Sequence, residues 1–218
     1  MARDTLNAAL AALVVAALIV SGIAPYDRAT WLMEVAPVLI ALPLLIATRH
    51  RYPLTMLLSV LIAAHALVLI AGGAYSYARV PLGFWLQDLL GTLRNPYDKI
   101  GHLMQGFVPA LVAREILLRG DYVRGKRMTA FLCICVAMAI SASYELIEWA
   151  AAVTMGQGAD EFLGTQGDPW DTQSDMFMAL IGSSAAMLLL TNWHDRQLDR
   201  LLAATAEDAA RPALTDRR

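Results

Sequence analysis

Charge is scarce in this sequence. Only 17% of its 218 residues are Asp, Glu, Lys or Arg, against 58% hydrophobic, and the mean hydropathy is +0.51. A water-soluble core of this length does not need so much apolar surface, so most of the chain has lipid as its solvent. The net charge is −2 and no basic face stands out, which argues against a nucleic-acid partner. Cysteine is also scarce. Cys133 and Cys135 sit two apart in an apolar run, where a helix sends them to different sides, and both read as small apolar fillers. There is no Ser or Cys nucleophile motif and no phosphate loop.

Long apolar runs are what remains. A helix crossing the hydrocarbon core needs about 20 mainly apolar residues. Six stretches qualify, from Leu6 to Ala24, Trp31 to Ala47, Leu54 to Ala74, Ile100 to Leu118, Met128 to Val153 and Asp175 to Trp193. The first has only Arg3 beside Asp4 ahead of it, which favours a retained span over a cleaved signal. Pro81 to Leu93 is too short to cross and suits a helix lying in the interface. The expectation is an all-α polytopic membrane protein of about six transmembrane helices. Its domains are a membrane domain over 1–195 and a polar tail over 196–218, the last stretch of which is expected to be disordered.

Basic residues divide by alternate connections. Arg3, Arg49, Arg51, Arg119, Arg124, Lys126, Arg127 and the arginines of the tail fall on one side, and only Arg28, Arg79, Arg94 and Lys99 on the other. The positive-inside bias then places both termini in the cytoplasm of a multi-pass bacterial inner-membrane protein.

Polarity is concentrated late in the chain. Spans one to three are bland apart from Glu34, near an end, and His65, which reads as a neutral interhelical hydrogen-bonding group. From Asn95 onwards the connectivity gathers Asp98, His102, Glu145, Glu148, Asp160, Glu161, Asp168, Asp171 and Asp175 at one membrane face. Asp98 and His102 are i and i+4, Glu145 and Glu148 i and i+3, and Asp171 and Asp175 i and i+4, so each helix offers a pair on one face. Ionisable groups in a span need a partner, an ion or a water-filled cavity, so His102 and Glu145 are expected to point into the bundle.

No Lys or Arg falls between Arg127 and Arg196, and Lys99 is the adjacent counter-charge. A divalent metal of open identity, held by Asp98, His102, Glu145, Glu148, Asp171 and Asp175, would balance the acids. Protonated carboxyls that hydrogen-bond one another are the alternative. Blander readings stand beside these: Asp98 and Asp171 as helix caps, Glu145 and Glu148 as solvated interfacial groups, and Asp160 and Glu161 as a solvated loop. Gly156, Gly158, Gly164 and Gly167 read as turn-forming devices, Trp170 as an interface anchor, and Arg114 with Glu115 as a snorkelling pair.

The stretches Asn95 to His102, Tyr144 to Trp149 and Gly164 to Met176 carry a resemblance to the YjdF family of bacterial inner-membrane proteins over most of the chain. It implies a six-span inner-membrane architecture and assigns no reaction. More distantly, Asp98, Lys99, His102, Glu145, Asp175 and Gly182 match the pattern of VanZ-like proteins. Ala179 departs where that pattern has Asn, and Asp171 lies one residue from its acidic position, so the antibiotic-resistance role of VanZ is not carried over.

The leading functional expectation is a metal-assisted enzyme or binding protein for a membrane lipid or lipid-linked headgroup, with His102 or Glu145 as general base. An ion- or proton-coupled transporter and an assembly partner in a membrane complex are the alternatives. The oligomeric state stays open.

Overall fold

The computed structural model describes residues 2–155 and 166–215, and among them regular structure is entirely helical. The elements are α1 (Ala2–Ile23), α2 (Arg28–Thr48), α3 (Met56–Tyr75), a 3-10 turn (Tyr77–Arg79), α4 (Pro81–Leu90), α5 (Tyr97–Arg119), α6 (Lys126–Met155), α7 (Asp171–Leu189) and α8 (Thr191–Thr215). Local chemistry sets several of their ends. Asp27 accepts the Thr30 N–H at 2.7 Å to open α2, and Thr55 caps α3 through the Leu58 N–H. Gly91, at φ 65°, closes α4 in the left-handed conformation.

The chain is an all-α polytopic membrane protein. By length and composition α1, α2, α3 and α6 can each cross a membrane, and α7 with the first part of α8 makes a fifth span if that pair, bent by 62°, counts as one. The expected sixth is α5. At 23 residues it is about 34 Å long, but Asp98, Lys99, His102, Arg114, Glu115 and Arg119 make it too polar to meet the same criterion. Its neighbours shelter those groups: α7, α6 and α3 pack around α5, while α1 and α2 pack on α3. The chain beyond Trp193, expected to end in disorder, is helical as far as Thr215; residues 216–218 lie outside the described ones.

The closest approach is between α5 and α7. A Cβ on Gly106 would overlap the Ala179 carbonyl, and one on Gly182 would overlap the Leu103 carbonyl. Small side chains let helix backbones meet where lipid supplies no hydrophobic drive. Gly182→Leu is therefore expected to force the two helices apart and destabilise the bundle by about 1–3 kcal/mol or more. Val153→Leu, on an outward-facing side chain, should change little. Thermal unfolding of both variants in detergent checks this.

Candidate functional site: a histidine among carboxylates

The α5–α7 contact brings the start of α5 against the start of α7. The C-terminal half of α6 closes the third side through Glu145. Asp98, His102 and Asp175 each offer one ligand atom, and these atoms all lie within 4.8 Å of one another. His102 Nε2 is 3.4 Å from Asp98 Oδ1 and 3.8 Å from Asp175 Oδ1. Its Nδ1 lies 3.0 Å from Gln105 Oε1 and 3.7 Å from Glu145 Oε1. An amide oxygen only accepts, so this hydrogen bond puts a proton on Nδ1 and leaves Nε2 facing the two aspartates, as a lone pair or as a second N–H. Two carboxylates facing that nitrogen call for a positive charge between them, a proton or a metal ion. Glu145 Oε1 is buried and has no hydrogen-bond partner among the described residues.

Counter-charge comes from two residues, not one. The three Lys99 donors are committed to Asp175 at 2.6 Å, Asp171 at 2.8 Å and Ser174 at 2.6 Å. Arg94, assigned only to a sparse loop by sequence, pairs with Asp171 at 2.6 Å and Asp168 at 3.3 Å. Asp171 is thus held by two cations and stands apart from the three-ligand group. Neither aspartate is the N-cap of its helix. Asp171 is the first residue of α7, after Trp170, and at α5 it is Asn95 Oδ1 that accepts the Tyr97 N–H at 3.0 Å. Asn95 is itself buried. Its backbone N–H and C=O pair with the Gln166 side chain at 3.0 and 3.1 Å, which ties the chain before α7 to the start of α5. Asp160, Glu161, Gly156, Gly158 and Gly164 fall outside the described residues.

A small cavity adjoins His102. Its volume is about 20 Å³, and its lining includes Glu34, Tyr77, Asp98, Gln105, Tyr144 and Glu148. Glu148 therefore faces the cavity, not the three-ligand group. Glu34, Tyr77, Tyr144 and Gln105 lie outside the set of site residues that the sequence pattern predicts. Glu34 comes from α2, among the bland spans, and it is buried, accepting from the Tyr144 hydroxyl at 3.3 Å. Tyr77 wedges its ring against Gly72 and Gly101, where any Cβ would clash. His65, expected to be an interhelical hydrogen-bonding group, has its Nε2 buried without a hydrogen-bond partner among the described residues.

Residues 6–196 match the family model described as "Predicted membrane protein (DUF2238)". The chain belongs to this family. A curated relative, the Inner membrane protein YjdF of Escherichia coli (strain K12), is 64% identical over 183 residues, which cover 84% of this chain and 88% of the relative. No solved structure matches the chain. The family match contains the whole centre, from Glu34 to Asp175, and also a second polar cluster at the opposite end of α5.

That second cluster replaces the expected snorkelling pair. Arg114 and Glu115 are buried. Arg114 donates to His194 Nδ1 at 2.8 Å and to Asp195 at 2.6 Å. Since guanidinium only donates, Nδ1 accepts and His194 Nε2 carries the proton it gives to Glu115 Oε2 at 3.0 Å. Thr55 donates to the same oxygen at 2.9 Å, and Arg119 to Glu115 Oε1 at 3.1 Å. The network pins the α7–α8 bend to α3 and α5. The sequence did carry a signal, because connectivity puts the ends of spans four and six at one face, but adjacent opposite charges pointed to solvent. Leaving buried hydrogen-bond partners unsatisfied costs about 1–3 kcal/mol, and His194→Ala, which leaves both ion pairs in place, is expected to lose about that much in unfolding experiments in detergent.

Proposed function

We propose that this inner-membrane protein, with both termini cytoplasmic, holds a divalent cation at Asp98, His102 and Asp175 on its periplasmic side and acts on a lipid or lipid-linked headgroup there. One observation carries the reading: a buried imidazole whose Nε2 faces two carboxylates, with a Glu145 oxygen that lacks a hydrogen-bond partner among the described residues beside the ring. Two carboxylates and one imidazole are a donor set for Mg²⁺, Mn²⁺, Ca²⁺ or Zn²⁺. With His102 as ligand, Glu145 is left as the general base, and Gln105 holds the ring in the ligating tautomer. Such an ion would polarise a headgroup oxygen or a bound water. The preference for Arg and Lys at the α8 end of the bundle supports the orientation.

A second reading, proton-coupled transport, draws support from Glu34, a buried acid in the first three spans, where sequence suggested none with a role.

Metal analysis separates the two. Detergent-purified protein loaded with Mn²⁺ or Zn²⁺ and desalted is expected to retain about one ion per chain, and His102→Ala and Asp175→Asn each to lose at least about tenfold in affinity. Wild-type protein that retains no ion, while Glu34→Gln abolishes proton-coupled uptake in proteoliposomes, would overturn the metal reading in favour of transport.

A further inference from the structure

The cavity beside His102 is lined by carboxyl groups and, among the described residues, by no basic side chain other than that imidazole. Glu34, Asp98 and Glu148 reach it from α2, α5 and α6, with the tyrosines Tyr77 and Tyr144 between them. Lys99 and Arg94, the cations nearest in sequence, are engaged by Asp168, Asp171, Ser174 and Asp175.

Glu34 is the independent observation. It is only 5% exposed, its hydrogen-bond partners are tyrosine hydroxyls, Tyr144 at 3.3 Å among them, and no Lys, Arg or His stands within ion-pair distance of it among the described residues. A carboxylate buried in a membrane bundle needs a cation or a proton. The metal group leaves it out, because Glu34 is not among the clustered ligands.

Size and polarity limit the occupant. The space holds about one water-sized group. A primary ammonium has that size and carries three donors for three acceptors. A quaternary ammonium adds methyl groups for which there is no room, and a phosphate or carboxylate would meet three acids.

We infer that the Glu34–Glu148 cavity binds a primary ammonium group, so that the headgroup taken by the neighbouring centre is amine-bearing. This deepens the headgroup reading above and rests on it.

The test uses the full chain in nanodiscs containing equal parts phosphatidylethanolamine, phosphatidylcholine and phosphatidylglycerol, with bound lipid identified by native mass spectrometry. Wild type is expected to enrich phosphatidylethanolamine over both others. Glu34→Gln and Glu148→Gln should lower that enrichment by about tenfold, the effect of losing a hydrogen bond to a charged group, while retaining the metal. Ethylammonium should compete with the lipid on wild-type protein, a measurement that needs no variant to fold.

Equal retention of the three lipids, with no ethylammonium binding, overturns the inference, and retained metal in that case leaves the proposed centre standing. Ethylammonium binding without lipid enrichment keeps the ammonium site and overturns the lipid as its source. Phosphatidylethanolamine enrichment in a protein that binds no metal keeps the cavity and overturns the metal reading.

Discussion

The close packing of α5 on α7 is the contact on which everything else depends. Gly106 and Gly182 each lie against a carbonyl of the facing helix. In a bilayer the apolar faces gain little by leaving lipid, so backbone approach through small residues supplies the attraction. That approach sets Asp98 and His102 beside Asp175, and Lys99 beside Asp171 and Asp175. Any spreading of the two helices would leave several charged groups without partners in a medium of low dielectric.

The two ends of α5 resolve their charges differently. Near Arg119, two arginines face Glu115 and Asp195, and neutral His194 bridges Arg114 to Glu115. The donors and acceptors there satisfy one another, which is the condition for a rigid pin. Near Asp98 the account does not close. Arg94 and Lys99 are taken up by Asp168, Asp171 and Asp175, while Asp98, Glu34 and Glu145 surround a single imidazole and a cavity. The closed end looks like structure, and the open end is where a ligand would complete the electrostatics.

Much of the site was legible from helix periodicity and connectivity. Spacing of three and four put Asp98 with His102 and Glu145 with Glu148 on shared faces, and alternation of spans put them at one end of the bundle. Glu34 was not legible, because a single acid near the end of an apolar helix is what an interfacial residue also looks like. Only the packing of α2 on α3, where the Glu34 Cβ lies against Gly73, carries it to the centre. The Arg114–Glu115 pair misled for a related reason: neighbouring opposite charges near a helix end normally reach for water, and here α8 folds back over them.

By itself, the sequence determined the solvent, the helical class, most helix limits and which polar groups share one end of the bundle, since all of these follow from local hydropathy, the 3.6-residue period and the alternation of spans. Tertiary structure alone decided which carboxylates meet His102, which are already occupied by Arg94 and Lys99, and which line the cavity. Those outcomes depend on helix rotation and on backbone approach at Gly106 and Gly182, and no one-dimensional pattern encodes either.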